Sequence, residues 1–435
     1  MRPLMLALCL ALSSLAAAQL GVPGVRLPQL PNLGLPNLTA NGLPPADTLG
    51  GDLDARTLEQ LRVSRIRELL RRHRDVLEAD PHGAPIVRGE VLMIAPTEAA
   101  RAAAIAAGFP VLRERTLPQL QLRIVVLHAN ANTARALTQL EAMDPAGAYD
   151  FNHLYSESAL VMQEAAAPPV VASSAVAGTA APRLGLIDSG VDVTHEVFSA
   201  LTIERHGCAG AALPAAHGTA VASLLVGRAA ALHGAAPGAA LYAADVFCNA
   251  PSGGSVEAVA EAFAWLLEQR IAVINVSLVG PPNRLLERVV AGAVARGCLV
   301  VAAVGNDGPA AAPLYPAAWP GVVGVTAVDG RSHLLTEAER GPQVKFAAPG
   351  ADLAAARLGG GYALVRGTSF AAPIVAGLLA ASLPSQDAEG ARDALAALVR
   401  SAQHLGAAGI DPGYGYGIVG SELRRQPALA ALHRN

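Results

Sequence analysis

The stretch RLGLIDSGVD, residues 183–192, carries a short apolar run into Asp188 and then breaks at Ser189-Gly190. A run of this length, nearly continuous and closed by a turn, reads as a strand buried on both faces. The same pattern recurs at ALYAADV (240–246), IAVINVS (271–277), CLVVAAV (298–304) and VVGVTA (322–327). Helical stretches fall between and after them, near 217–228, 255–269, 284–296, 369–382 and 388–402. Apolar strands alternating with helices specify an α/β domain whose mostly parallel sheet is covered on both sides. Ligands of such sheets bind beyond the carboxyl ends of the strands, where Asp188 and Asn306 lie.

The 435 residues exceed one average domain, so two folded units with linkers are expected. Upstream of the α/β pattern, residues 54–78 place leucines and Ile66 at helical spacing with six arginines between them. We read this as a helix packed on a neighbouring domain rather than one lying on a membrane. Next, GEVLMIAP (89–96), a helix over 97–108, FPVLRERTL (109–117), LQLRIVVLHA (120–129), a helix over 132–143 and a strand near 146–151 give the order β-α-β-β-α-β. That is the order of a small α+β ferredoxin-like fold. Residues 156–181 are mostly Ala, Pro, Ser and Val and read as a flexible linker. Residues 19–53, rich in Leu, Pro, Gly and Asn without periodicity, read as a disordered lead, and 426–435 as a tail.

Residues 1–18 have a positive start at Arg2, an apolar stretch from Leu4 to Leu15 and Ala16-Ala17-Ala18 before Gln19, the anatomy of an export signal. The expected destination is therefore extracellular or periplasmic. A net charge of −3 gives no reason to expect nucleic acid or an anionic membrane as partner. Cys9 leaves with the signal, and Cys298 opens a buried strand. Cys208 and Cys248, in loop-like contexts, are the expected disulfide, with two free thiols as the alternative.

Three residues carry the chemistry. Asp188 ends its strand, His217 begins HGTAVAS, and Ser369 sits in GTSFAAP (367–373) at the start of an apolar helix. His206 is also followed by glycine but lacks the helix-forming continuation, so His217 is preferred. The order Asp, His, Ser differs from the two other common arrangements of a serine, an imidazole and a carboxylate. The GTSFA spacing also departs from the G-x-S-x-G elbow, because Ala371 holds its last position. No nucleotide loop, H-E-x-x-H helix or clustered metal ligands occur, and no cofactor is expected.

These residues resemble the subtilisin-like serine protease family (subtilases, peptidase family S8) over roughly residues 182–422. GYGYGIV (413–419) is similar to the family's closing segment. The resemblance implies a three-layer α/β/α sandwich over 182–425 and a serine endopeptidase working through an acyl-enzyme. It gives Ser369 the role of nucleophile, His217 that of general base and Asp188 that of orienting acid. Asn306, in AAVGNDG, would supply an oxyanion-hole amide, and Ser277-Leu278-Val279-Gly280 would bind substrate. Many relatives have glycine where this chain has Val279, which implies a narrower pocket for the residue before the cut and a preference for small or medium apolar residues. Residues 54–155 resemble the inhibitory propeptides of the family, ending near NHLY (152–155), with self-cleavage in the linker. The chain is thus expected to be a zymogen with its own propeptide as inhibitor and peptides or proteins as substrates. Calcium is a frequent ligand in relatives, but no site is located here. The alternative is a catalytically silent relative that binds peptides or a partner.

Overall fold

The computed structural model describes residues 55–130, 132–157, 160–165 and 182–424. The expected signal, the lead, linker residues 166–181 and the tail from 426 lie outside the described residues. All described residues belong to one compact unit, Ala46–Asn435.

The chain opens with helix α1 (Ala55–Arg72) and the short strand β1 (Leu77–Ala79). There follow β2 (Pro85–Ile94), α2 (Glu98–Ala106), β3 (Val111–Leu117), β4 (Leu122–His128), α3 (Thr133–Met143) and β5 (Ala148–His153). Thr97 and Asn132 start α2 and α3 by accepting backbone N–H bonds from Ala100 and Arg135. The sheet runs β5-β2-β4-β3 with every pair antiparallel, the ferredoxin-like order, and β1 extends it beside β2.

The two-residue period of a strand decides what each face of this sheet touches. Val91, Met93, Val125 and Leu127 join Ala104, Ala136 and Leu140 of α2 and α3 in one cluster. Leu92, Ile94, Ile124 and Val126, on the other face, join a cluster whose remaining members come mostly from the α/β domain.

The α/β domain comprises β8 (Arg183–Asp188), β9 (Ile203–His206), α4 (Ala216–Val226), β10 (Ala240–Asp245), α5 (Val256–Glu268), β11 (Val273–Val276), β12 (Leu278–Val279) and α6 (Arg284–Ala295). It continues through β13 (Leu299–Ala303), β14 (Val323–Val328), β15 (Val344–Pro349), β16 (Leu353–Ala356), β17 (Tyr362–Arg366), α7 (Thr368–Ala380) and α8 (Ala388–Ser401). Seven strands form one sheet in the order β15-β14-β13-β11-β8-β10-β9, each pair parallel. Leu184 and Leu186 point into the cluster with α4, α7 and α8, whereas Ile187 points into the cluster with α5 and α6. The result is a three-layer α/β/α sandwich.

One expectation needs correction. Residues 156–165 are not plain linker: β6 (Ser156–Glu157) pairs antiparallel with β12, and β7 (Leu160–Ala165) pairs antiparallel with β17. Their composition looked featureless because a short strand on a sheet edge is held by backbone hydrogen bonds, which leave no side-chain period. The hairpin β16–β17 was also missed. Its LAAA strand has weak β character, and its turn rests on Gly359, Gly360 and Gly361, all at positive φ.

Candidate active site

Asp188 ends β8 and is fully buried. Its Oδ1 accepts bonds from the Ser189 backbone N–H (2.7 Å) and from His217 Nδ1 (2.8 Å). A buried carboxylate needs such donors, and here they also fix which ring nitrogen faces it. His217 lies in the first turn of α4, followed by Gly218, where a Cβ would come within 2.1 Å of the Ser189 carbonyl oxygen. Only glycine lets the helix approach β8 this closely. The ring packs 5.4 Å from Phe370, the neighbour of Ser369, and its Nε2 is buried without a hydrogen-bond partner among the described residues. Burial works against a charged ring. The charges of Asp188 and Glu157 and the Asp188 hydrogen bond outweigh it and carry the His217 pKa up to about 9.

Ser369 is the second residue of α7, behind Gly367 at φ 137°. Every residue of this helix but Leu378 is buried, which explains its all-round apolar sequence. Pro373 has no N–H to offer the carbonyl four residues back. That carbonyl, of Ser369, instead accepts a bond from Ser277 Oγ at 2.9 Å, while Ser369 Oγ donates to the Ser277 carbonyl at 3.2 Å. The start of α7 is thereby tied to the segment that becomes β12.

Asn306 follows β13 and faces the same helix start. Its Oδ1 accepts the Thr368 N–H at 3.1 Å, and its Nδ2 is buried with no hydrogen-bond partner among the described residues. A fixed amide with an unspent donor, beside the first-turn N–H groups of a helix, can stabilise negative charge on an oxygen near Ser369. The next residue, Asp307, accepts an ion pair from Arg62 of α1 at 2.8 Å.

Leu278 and Val279 carry β6 across from them, with Glu157 opposite Leu278 and Ser156 opposite Val279. Tyr155, just before β6, is buried. Its N–H bonds the Gly254 carbonyl at 2.7 Å and its hydroxyl the Pro281 carbonyl at 2.5 Å. A Cβ on Gly280 would lie 2.7 Å from its ring. The chain's own segment thus lies extended along the residues expected to bind substrate.

The structure brings Asp188, His217, Ser369, Asn306 and 277–280 together and leaves His206 elsewhere, stacked 4.8 Å from Trp265. Asp192 accepts bonds from Thr194 and from the Gly359 N–H, and His195 contacts the Gly361 carbonyl, so both brace loops. Cys208 and Cys248 form a disulfide, and Cys298 is a buried thiol whose pKa burial pushes well up. Ser189, Thr368, Tyr155 and Glu157 were not singled out in the sequence. Glu157 had a signal, a charge in a segment with few others. Two groups of ligand-type side chains converge among the described residues: Cys208, Asp245 and Cys248, and Glu157, Asp188 and His217. The first spends both sulfurs in the disulfide, and neither is the cage of about six to eight oxygens that calcium takes.

Fold and site together have the form of a serine hydrolase. The chain belongs to the subtilase family, whose model (Peptidase_S8) matches residues 180–417. It is 32% identical over 206 residues to the minor extracellular protease Epr of Bacillus subtilis, covering 47% of this chain and 32% of that protein. With subtilisin E of the same organism it shares 30% over 279 residues, 60% of this chain and 71% of the relative. The match to Epr, like several others, spans less than two thirds of the relative's length. Among solved structures, fervidolysin from Fervidobacterium pennivorans superposes with a TM-score of 0.63 over 79% of this chain and 62% of its own, at 19% identity, which shows the shared fold.

Proposed function

We propose that this chain is an exported serine endopeptidase, made as a precursor that cuts itself. In this reading Ser369 Oγ attacks a peptide carbonyl while His217 Nε2 takes its proton. Asp188 holds the imidazole, and the Asn306 amide with helix N–H groups takes the developing oxyanion. The acyl-enzyme is then hydrolysed by water. The observation that carries the proposal is the unspent buried amide donor of Asn306 beside the serine at the start of α7. A structural asparagine has no need of a buried donor left unpaired. Export rests on the signal-like first eighteen residues; no described helix is long and apolar enough to cross a membrane. A fluorophosphonate probe is expected to label the processed enzyme at Ser369. A silent peptide-binding relative would remain unlabelled.

The small domain is proposed to act as the inhibitor. Asp150 accepts the Arg284 N–H at the start of α6 (2.7 Å), Asn152 accepts the Glu257 N–H at the start of α5, and Arg113 joins Glu90 to Glu257 across the interface. Arg113→Ala should let the nicked complex release activity at least about tenfold faster than the parent, because it strands Glu257, a carboxylate only 6% exposed. A release lag unchanged by the substitution would remove Arg113 from the clamp. In this reading self-cleavage falls between Glu157 and Leu160, which is supported by β6 ending on β12 while β7 starts on β17, the strand that leads into Ser369. The narrower pocket ascribed to Val279 predicts that Val279→Gly widens acceptance toward Phe and Tyr before the cut, as read from a peptide-library profile.

A further inference from the structure

We infer that Glu157 restrains self-cleavage of the precursor by helping to keep a proton on His217, so that the site disfavours an acidic residue at this register position at neutral pH. The inference rests on the self-processing reading above and adds a substrate-side residue to it.

The register places Glu157 opposite Leu278, at the level of the imidazole. Its Oε1 stands 4.0 Å from His217 Nδ1, the nitrogen that Asp188 Oδ1 holds at 2.8 Å. The charged groups facing it are His217 from α4, Asp188 from the end of β8 and Asp245 from the end of β10, while β12 offers only Leu278 and Val279. Burial, chiefly, and the two aspartates raise the Glu157 pKa on balance against the pull of His217, so the Glu157–His217 pair holds its protons tightly. Two carboxylates around one imidazole are best satisfied by an imidazolium.

An imidazolium has no lone pair at Nε2 to receive the proton of Ser369 Oγ, so attack waits for the ring to lose its proton. With the His217 pKa carried up to about 9, the neutral ring is the minor form at pH 7. Glu157 lies on the amino side of the proposed cut. When the small domain departs it takes this carboxylate with it, leaving His217 with Asp188 alone. The restraint therefore acts on the precursor and removes itself.

The test follows self-cleavage of the full-length precursor from pH 6 to 10 in the parent, Glu157→Gln and Glu157→Asp, with Ser369→Ala as control. Glu157→Gln should move the rising limb down by about one pH unit and speed cleavage about tenfold at pH 7, with the rates converging at high pH. Glu157→Asp, which keeps the charge, should hold the high midpoint. The processed enzymes, having lost residue 157, should share one pH profile. Superposed precursor profiles, or a change by the same factor at every pH, would overturn the inference while leaving self-processing intact. Cleavage in the Ser369→Ala precursor would instead bring down the self-processing reading. A second measurement works on processed enzyme, comparing peptides containing Tyr-Ser-Glu-Ser-Ala and Tyr-Ser-Gln-Ser-Ala. The glutamate peptide should be cut about tenfold more slowly at pH 7 and equally at pH 10, and equal rates at pH 7 would reject the specificity.

Discussion

Ser369→Ala is expected to leave the precursor at full size under conditions in which the parent chain, in the proposed reading, cuts itself between Glu157 and Leu160. No neighbouring group replaces the lost oxygen. Ser277 Oγ donates to the Ser369 carbonyl, Thr368 Oγ1 accepts the Gly305 N–H, and Ser189 belongs to the far side of the Asp188–His217 pair. Losing the nucleophile of such a constellation costs on the order of a millionfold in turnover. The fold should survive, because Ser369 is buried at a helix start set by Gly367 and by the Ser277 bond to the Ser369 carbonyl, which the alanine retains. Size and amino-terminal sequence of the two chains, side by side, would test activity and locate the maturation bond together. A Ser369→Ala chain that still matures would show that another protease makes the cut.

Asn306→Ala should lower turnover by about 100- to 1000-fold while leaving substrate affinity nearly unchanged, because the amide acts only on charge that develops in the transition state. The substitution also removes the acceptor for the Thr368 N–H, a bond at the first turn of a helix that other contacts bury on all sides. A small loss of thermal stability is therefore compatible with the assignment. Turnover within a factor of a few of the parent, in a variant of native melting temperature, would take Asn306 out of the mechanism. Asn306→Asp discriminates further: it keeps the acceptor for Thr368 but replaces the donor with an oxygen, and should be as impaired as alanine.

The parallel sheet was legible in its apolar strands, and Asp188, His217, Ser369 and Asn306, the proposed site, stand out because each follows or begins an element whose apolar period is unmistakable. His217 was separable from His206 by the helical stretch that follows it, and the structure gives the physical counterpart, an exposed edge strand for His206 and a buried helix for His217. What the sequence hid are contacts made by backbone. Strand β6 owes its place to pairing with β12, and nothing in Ser156-Glu157 announces a strand. The Ser277 hydroxyl is part of the serine's support only because Pro373 vacates a carbonyl ninety-two residues away from it. The burial of Tyr155 against Gly280 likewise leaves no mark in the sequence around it.

The small domain is a layer short. Its helices cover one face of its sheet, and the other face, with Leu92, Ile94, Ile124 and Val126, is closed by α5 and α6 of the neighbouring domain. Once detached, it would present that row of aliphatic side chains to water, a patch that isolated domains rarely carry. In the self-processing reading its departure would uncover one whole face of its sheet as well as dissociate it. A loosened, digestible chain beside an active protease does not return, so the first escape from the complex would also be the last.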